Sequence, residues 1–372
     1  MGNEQGDSGN RVVAVVGCGY WGGNYVRLLS EMPGVGEVIA IDSDIRRLAE
    51  MAGRFPRVTV AESVSEVVGR IDGAVVSTPA ATHYAVAKPL IEAGIHVLIE
   101  KPITTISEEA YELGLAASEH GVVLAVGHTF LHHDGIKALK HYVDEPAFGT
   151  PYYMYSQRTN LGPIRRDVDA LWDLAPHDIA IFNRLIGADP VVVSAVGHRA
   201  LQTQRFDSGF VTMTYPGEVI ANIHVSWADP AKVRQVVVVG SGRRVVFDDL
   251  NPNERIRVFE KGVAPMLDVT DSFGEHQLQI RDGDILSPRI GTSEPLRNQM
   301  LDFFEAMDTG KAPLCGVEDG LGVVKVMEAI ERSVALRGTP VLVEGRGVYH
   351  RGDDILVDLG LSGVEPVRAV AS

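Results

Sequence analysis

Short apolar runs alternate with helical patterns over the first third of the chain. Most runs are β-branched and apolar on both faces, which is typical of strands in a parallel sheet covered by helices. The runs are Val12–Val16, Glu37–Ile41, Val58–Val60, Ala74–Ser77, His96–Glu100 and Val122–Val126. The helical patterns are Gly22–Glu31, Ile45–Gly53, Thr82–Ala93 and Ser107–His120. This order predicts an α/β fold, a doubly wound parallel sheet over residues 11–130.

Beyond about residue 150 the pattern changes to longer strands that are not separated by helices. The predicted strands are Pro151–Gln157, Val191–Arg199, Gly209–Tyr215, Glu218–Trp227, Val233–Val239 and Arg244–Phe247. Turn residues at 215–218 and 240–243 predict hairpins. The predicted helices are Asp173–Ile186, Pro295–Thr309 and Glu318–Leu336. We expect an α+β domain with a large, mostly antiparallel sheet over residues 131–345, completed by both late helices.

The composition restricts the partners and the compartment. The 372 residues carry a net charge of −15, which argues against nucleic acid and anionic membranes as partners. Two cysteines exclude a disulfide framework, and His132-His133-Asp134 lacks a second ligand pair, so we predict no metal site. The polar N-terminus has no signal-peptide core, and no apolar run approaches the ~20 residues of a membrane span. We expect a cytoplasmic protein with a disordered lead-in over residues 1–10 and a tail over 346–372.

A glycine-rich turn follows the first predicted strand and opens the first predicted helix. In this context Gly17 permits a tight turn, Gly19 lets a pyrophosphate approach the backbone, and Gly22 lets the helix pack closely on the strand. Free N–H groups at the helix N-terminus bind the pyrophosphate. The predicted cofactor contacts in the turn are Gly17, Gly19, Tyr20, Trp21 and Gly22. The alternative is a structural turn that binds nothing.

Asp42 ends the second predicted strand, 20 residues beyond Gly22. A carboxylate there accepts hydrogen bonds from the adenosine ribose and repels a 2′-phosphate, which favours NAD over NADP. Arg46 and Arg47 lie close enough to weaken that preference, so NADP stays an alternative.

Lys101 follows the fifth predicted strand in the tripeptide Glu100-Lys101-Pro102. Ligands of open α/β sheets bind at the carboxyl ends of the strands, so Lys101 emerges near the expected nicotinamide. Pro102 restricts Lys101 to extended geometry, and an ammonium beside a substrate hydroxyl stabilises a developing alkoxide. On spacing alone, a surface lysine paired with Glu100 is the stronger interpretation.

Asp173 and His177 lie four residues apart at the start of a predicted helix, so their side chains share one face. We predict Asp173 as the N-cap and Pro176 in the first turn. His177 suits a general base near neutral pH, with the carboxylate orienting its imidazole or binding a substrate hydroxyl. From the residues alone, a capping aspartate and a buried histidine are equally good interpretations.

Together, the glycine turn, the Glu-Lys-Pro tripeptide and the change to an antiparallel domain resemble the Gfo/Idh/MocA oxidoreductase family over residues 11 to about 345. The resemblance implies that Lys101, Asp173 and His177 are catalytic. The residues that it places at the cofactor are Thr78, Pro79, His83, Glu100 and Lys101. The alternative for His83 is a residue in the first turn of a helix, without a role at the cofactor. The implied reaction is hydride transfer between a nicotinamide and a secondary alcohol or ketone, with Lys101 and His177 in acid–base roles.

Residues 157–162 and 171–178 carry a narrower resemblance, to family members that act at C3 of nucleotide-linked sugars. Arg158 lies in the first of these segments, and Arg165 and Arg166 follow it. These arginines either neutralise a diphosphate or carboxylate of the substrate or lie in solvent as loop residues. The predicted substrate contacts are Arg158, Asn160, Arg165 and Trp172. Trp172 also fits packing between the domains.

The favoured function is therefore an NAD(P)-dependent oxidoreductase of a sugar or nucleotide-linked sugar. An inositol or free-sugar dehydrogenase and a non-catalytic NAD-binding sensor are the alternatives. Antiparallel sheets in this family usually pair through their exposed faces, so a homodimer or homotetramer is expected. The apolar face with Val219, Ile223 and Trp227 is buried either by helices of the chain itself or by a partner.

Overall fold

The apolar runs of the first third form one parallel sheet in the computed structural model, which describes residues 10–162, 164–165, 168–201, 203–265 and 278–343. Its strands are β1 (Arg11–Val16), β2 (Val35–Ile41), β3 (Val58–Ala61), β4 (Gly73–Val76), β5 (His96–Glu100) and β6 (Leu124–Gly127). Its connecting helices are α1 (Tyr20–Glu31), α2 (Ile45–Arg54), α3 (His83–Glu92) and α4 (Ser107–His120). The strand order is β3-β2-β1-β4-β5-β6, which confirms the doubly wound sheet and places its switch point between β1 and β4.

Side chains of the central strand β1 alternate between two buried faces. Val13 and Val15 belong to the apolar core that contains Leu28 of α1. Ala14 belongs to the core that contains Leu90 of α3 on the opposite face. Burial on both faces explains why these strands are apolar along their whole length.

The second sheet has nine strands and is antiparallel at every pairing but one. The remaining strands of the described chain are β7 (Pro151–Leu161), β8 (Val192–His198), β9 (Ser208–Thr214), β10 (Ile220–Ser226), β11 (Ala228–Gly240), β12 (Arg244–Asp248), β13 (Ile256–Phe259), β14 (Gly262–Pro265), β15 (Leu278–Arg281), β16 (Ile285–Leu286) and β17 (Val341–Leu342). The sheet order is β16-β13-β12-β11-β7-β10-β9-β8-β17, with β7 and β10 parallel, and β14 pairs with β15 separately. The mostly antiparallel sheet is confirmed. The later helices are α5 (Asp134–Asp144), α6 (Ala170–Ile186), α7 (Pro295–Thr309) and α8 (Val317–Ala335).

One face of this sheet is covered by helices of the same chain. Val219 and Ile223 are buried in a core shared with Ile179 of α6 and Ile330 of α8. The chain itself therefore buries this face, and no partner is needed to cover it. Apolar residues on the opposite face are about half exposed, among them Tyr153, Phe210 and Ile220. Pairing of that face in an oligomer stays a prediction.

Helix α7 packs on the first sheet, although it lies late in the chain. Its residues Met300 and Phe303 belong to the same core as Val13 and Val15 of β1. The prediction that α7 completes the second domain is therefore wrong. Apolar periodicity shows which face of a helix is buried, but not which sheet covers it.

Helix α6 begins earlier than predicted. Asp169, not Asp173, is its N-cap, and the Asp169 carboxylate accepts a hydrogen bond from the Trp172 N–H at 2.9 Å. Asp173 therefore lies in the first turn, and Pro176 lies inside the helix rather than at its start. Because the helix begins one turn earlier, Asp169 rather than Asp173 caps it, and the Asp173 carboxylate makes other contacts.

Candidate active site

A cavity of about 1490 Å³ lies between the carboxyl ends of the parallel strands and the second sheet. Its walls come from the glycine turn, from the loops after β4, β5 and β6, and from β7, α6 and the segment after β12. Sites for single small molecules are usually about 300–1000 Å³. The cavity therefore has room for a dinucleotide and a second molecule.

The glycine turn forms one end of the cavity. Gly17 has a φ of +93°, and a Cβ on Gly22 would lie 1.8 Å from the Gly17 carbonyl oxygen. A Cβ on Gly19 would meet only the Arg47 guanidinium, at 4.0 Å. Among the described residues, no side chain caps α1. The turn is therefore open to the cavity, and the N–H groups of α1 fit a pyrophosphate.

Tyr20 and Trp21 lie at the start of α1, on the rim of the cavity. Their rings meet edge to face at 5.6 Å, and Tyr20 is 82% exposed while Trp21 is 40% exposed. Their contact with a cofactor stays a prediction.

The Asp42 carboxylate lies on the cavity wall at the end of β2. It accepts hydrogen bonds from the Cys18 N–H at 2.7 Å and the Asp44 N–H at 2.8 Å. The Arg47 guanidinium approaches it at 3.4 Å, whereas Arg46 pairs with Asp44 and is 87% exposed. Oδ2 receives both the Cys18 N–H and Arg47 Nη1, whereas Oδ1 receives only the Asp44 N–H and so keeps acceptor capacity for a ribose hydroxyl.

His83 is buried and connects two loops of the cavity wall. Its Nδ1 lies 2.8 Å from the Pro102 carbonyl oxygen, and its Nε2 lies 2.9 Å from the Thr78 carbonyl oxygen. Both ring nitrogens are therefore occupied by the backbone, and burial lowers the pKa of His83. Thr78 and Pro79 line the cavity beside it. The His83 ring holds the two loops together, and the contact of Thr78, Pro79 and His83 with a cofactor stays a prediction.

Lys101 is buried and connects the two domains. Its Nζ donates to the main-chain carbonyl oxygen of Asp173 at 2.7 Å and lies 3.7 Å from the Asp173 carboxylate. Burial lowers the pKa of Lys101, while the Asp173 and Glu100 carboxylates act in the opposite direction. The peptide bond between Lys101 and Pro102 is cis. The interpretation of Lys101 as a surface lysine is therefore wrong.

A chain of hydrogen bonds behind Glu100 was not foreseen from the sequence. The Tyr25 hydroxyl donates to Glu100 Oε1 at 2.7 Å, and Gln299 Nε2 donates to the Tyr25 oxygen at 2.7 Å. Thr129 Oγ1 donates to Gln299 Oε1 at 2.8 Å. Burial raises the pKa of Glu100, which the Tyr25 hydrogen bond partly offsets. Tyr25 and Gln299 are 274 residues apart, so no local pattern signals their contact.

The Asp173 carboxylate faces Lys101 rather than the histidine one turn later. It accepts hydrogen bonds from Arg165 Nη1 at 3.0 Å and from Trp227 Nε1 at 3.2 Å, and it forms the ion pair with Lys101. The described contacts do not include a hydrogen bond to His177. Of the two roles predicted for Asp173, orienting the imidazole does not agree with these contacts, and binding a substrate hydroxyl stays a prediction.

The His177 ring lines the cavity and packs edge-on against Phe130, with ring centroids 5.2 Å apart. Its Nδ1 is buried and has no hydrogen-bond partner within the described residues. Burial lowers the pKa of His177 well below its usual value, and the charges of Lys101 and Arg158 act in the same direction. The imidazole is therefore neutral near pH 7.

Arg158 is buried in β7, and its charge is already balanced. Its Nε and Nη2 donate to the two Asp178 carboxylate oxygens at 3.1 and 2.8 Å. The guanidinium also lies 4.4 Å from the centre of the Phe130 ring. Arg158 thus forms a fixed part of the cavity wall, and its role in substrate binding stays a prediction.

The other predicted substrate residues also line the cavity. Asn160 follows Arg158 in β7, and Arg165 is paired with Asp173. Trp172 lines the cavity and its Nε1 donates to the Glu331 carboxylate of α8 at 2.6 Å. Arg166 lies outside the described residues, as do residues 1–9 and the predicted tail.

Over the described ranges, no group of three or more His, Cys, Asp or Glu residues is placed to hold a metal ion. His133 instead contacts Asp249 at 3.3 Å through Nε2 and accepts the Gly135 N–H at Nδ1. None of the described helices combines the length and apolar character that a membrane span requires.

Two family models match the chain in the order of its domains. The model of an oxidoreductase family with an NAD-binding Rossmann fold matches residues 11–128, and the model of the GFO/IDH/MocA C-terminal domain matches residues 136–246. The chain belongs to the Gfo/Idh/MocA oxidoreductase family. This confirms the resemblance found in the sequence, and this Gfo/Idh/MocA member is an NAD(P)-dependent oxidoreductase with an NAD-binding domain.

Relatives of this Gfo/Idh/MocA oxidoreductase cover most of its length. UDP-N-acetylglucosamine 3-dehydrogenase of Acidithiobacillus ferrooxidans is 29% identical over 319 residues, 85% of this chain and 93% of that protein. Its structure has a TM-score of 0.72 at 26% identity, covering 88% of this chain and 98% of its own. The structure of GenD2 from gentamicin A biosynthesis, in complex with NAD, has a TM-score of 0.75 at 27% identity, covering 91% and 97%. The scyllo-inositol 2-dehydrogenase (NADP(+)) IolW of Bacillus subtilis is 24% identical over 317 residues, 80% and 86% of the two chains.

Proposed function

We propose that this oxidoreductase transfers a hydride between nicotinamide and the C3 alcohol, or the corresponding ketone, of a nucleotide-linked sugar. One observation carries the proposal. Lys101 of the first domain and His177 of the second line the same cavity as the glycine turn. A hydroxyl bound between them lies within reach of an acid–base pair and of the cofactor end.

The two side chains supply complementary proton chemistry. In the oxidation direction, the neutral imidazole of His177 accepts the proton of the substrate hydroxyl. The Lys101 ammonium has three N–H donors, of which Asp173 takes one, and another donates to the developing alkoxide. NAD, when bound, supplies the hydride acceptor. The products are the ketone, NADH and one proton, and the reverse reaction uses the same groups.

The substrate class is supported by the relative from Acidithiobacillus ferrooxidans, a UDP-N-acetylglucosamine 3-dehydrogenase. The cavity volume of about 1490 Å³ also suits a large substrate beside the cofactor. The inositol dehydrogenase from Bacillus subtilis favours a free polyol as the second candidate. The two candidates differ in whether the substrate carries a diphosphate.

The test is cofactor absorbance at 340 nm with NAD and a panel of UDP-N-acetylglucosamine, free N-acetylglucosamine and myo-inositol. We expect turnover with the nucleotide sugar, and we expect Lys101→Ala to lower kcat by about 10²–10⁴-fold. An unchanged far-ultraviolet circular dichroism spectrum of the variant is the control for folding. Normal turnover by Lys101→Ala contradicts the catalytic proposal and favours a different centre, and turnover only with myo-inositol favours the second candidate.

A further inference from the structure

The wall that the second sheet gives to the cavity is rich in arginine. Arg158, Arg234 and Arg255 all line the cavity, although the protein as a whole carries a net charge of −15. Arg234 in β11 is the cross-strand partner of Arg158 in β7. Asp249 directly follows β12, and its N–H donates to the Arg234 carbonyl oxygen at 3.0 Å. The N–H of the preceding residue, Asp248, donates to the Arg255 carbonyl oxygen at 2.8 Å. The backbone therefore brings the three arginines to neighbouring positions.

The carboxylates at this wall do not balance the three charges. Asp178 takes both side-chain hydrogen bonds from Arg158. Asp249 is shared, because its Oδ2 lies 3.4 Å from Arg234 Nη1 and its Oδ1 lies 3.3 Å from His133 Nε2. Two carboxylates thus pair with two of the three guanidinium groups, and the third has no carboxylate partner within the described part of the chain.

Arg255 is the arginine without a partner. Its side chain makes no hydrogen bond or ion pair with any described residue, and its Nε is buried. A buried donor normally has an acceptor, and in a cavity wall a bound ligand can supply it. Arg234 is 39% exposed, and its contact with Asp249 is long, so it also has donors to spare.

We infer that Arg234 and Arg255 form an anion subsite that binds the diphosphate or carboxylate group of the substrate. The assignment rests on the proposed function for the substrate class, and it replaces Arg158 and Arg165 as the cations that bind the anion. Those two are held by Asp178 and Asp173. Arg234, Arg255 and His177 line the same cavity, so an anion at the subsite and a hydroxyl at His177 can belong to one molecule.

The experiment is calorimetric titration of the NAD-saturated protein with UDP, glucuronate and N-acetylglucosamine. UDP carries a diphosphate, glucuronate carries a carboxylate, and the third probe is neutral. We expect Arg255→Gln and Arg234→Gln each to raise the Kd of one anionic probe about tenfold, which corresponds to one lost charge-assisted contact. The Kd of NAD and of the neutral sugar stays unchanged. The control Arg57→Gln removes the same charge from an exposed loop and leaves every Kd unchanged.

The affected probe identifies the group that binds, a diphosphate if UDP binding weakens and a carboxylate if glucuronate binding weakens. Arg255→Lys, which restores the charge, recovers part of the affinity. Wild-type affinity in Arg255→Gln, or no binding of either anion to the wild type, overturns the subsite. Turnover at 340 nm is measured in parallel, because the two proposals fail differently. Anion binding without turnover overturns the proposed function alone, and turnover of UDP-N-acetylglucosamine with a KM that Arg234→Gln and Arg255→Gln leave unchanged overturns the subsite alone.

Discussion

Two adjacent glycines at the start of α1 have different surroundings. A Cβ on Gly22 would lie 1.8 Å from the Gly17 carbonyl oxygen, whereas a Cβ on Gly23 would meet Met51 Cε at 3.8 Å, an ordinary contact. Only Gly22 is therefore required by the close packing of the helix on the turn. The pair offers a matched test of the cofactor site.

Gly22→Ala is expected to weaken NAD binding about tenfold or more, because the new methyl group displaces the turn (tenfold corresponds to ~1.4 kcal/mol). Gly23→Ala leaves NAD binding unchanged and stabilises the protein by up to about 1 kcal/mol, since alanine favours the helix. NADH fluorescence titration and urea unfolding measure the two effects. Equal affinities in both variants contradict this account of the turn.

The ion pair between Lys101 and Asp173 predicts how activity depends on pH. Burial lowers the pKa of Lys101 below 10.5, and Asp173 limits that decrease. Asp173→Asn removes the negative charge, so the pKa of Lys101 falls further and the ammonium is lost at lower pH. We expect the alkaline limb of the kcat/KM profile to move to lower pH. The proposed function assigns the acid limb to His177, whose pKa lies below its usual value because of burial, so this limb is expected to remain in the acid range.

A pH–rate series of the wild type and Asp173→Asn checks this prediction. Asp144→Asn serves as the control, because Asp144 pairs with Lys140 on the surface and is 54% exposed. An alkaline limb that stays in place in Asp173→Asn shows that another group controls it.

At the scale of elements, α7 joins the first domain by polar as well as apolar contacts. Gln299 extends from α7 to the Tyr25 hydroxyl of α1, which in turn holds the Glu100 carboxylate at the end of β5. Three elements distant in sequence thus position the residue that precedes Lys101. Through these contacts a late helix is connected to the loop that carries Lys101.

A double-mutant cycle tests this connection. Tyr25→Phe and Gln299→Leu each leave a buried polar group without its partner, which costs about 1–3 kcal/mol of unfolding free energy. The double variant is expected to lose about 1 kcal/mol less than the sum of the single losses, because the partners disappear together. Urea unfolding measures the cycle, and Tyr142→Phe in α5 is the control for the substitution itself. Additive losses contradict the connection.

At the scale of the whole molecule, buried histidines tie stability to pH. Burial lowers the pKa of His128 to about 3 and that of His132 to about 4. In the unfolded chain the pKa of a histidine is about 6.5, so below that pH the unfolded chain binds protons that the folded chain does not. Stability is therefore complete above pH 6.5 and falls as the pH decreases from 6.5 towards these values.

The expected slope between pH 6 and 5 is up to ~1.4 kcal/mol per pH unit for each of the two histidines. Urea unfolding at pH 7, 6 and 5 measures it. His128→Asn removes the contribution of one histidine and is expected to reduce the slope by up to ~1.4 kcal/mol per pH unit. His141 is exposed, so His141→Asn leaves the slope unchanged. A slope that His128→Asn does not alter contradicts the assignment.

The sequence alone determined the elements of the first domain and the cofactor end of the cavity. The strand His96–Glu100 has the predicted bounds, and Gly17, Gly22 and Asp42 lie where the spacing placed them. These features depend on contacts within single β-α-β units, so periodicity and short spacings record them.

Only the tertiary structure decided which distant groups meet. It placed α7 on the first sheet, paired Asp173 with Lys101 instead of His177, and balanced Arg158 with Asp178. It also left Arg255 without a partner in the described chain. Whether a charge is free depends on which carboxylate reaches it across the fold, and residues far apart in the chain carry no local pattern that records such a pairing.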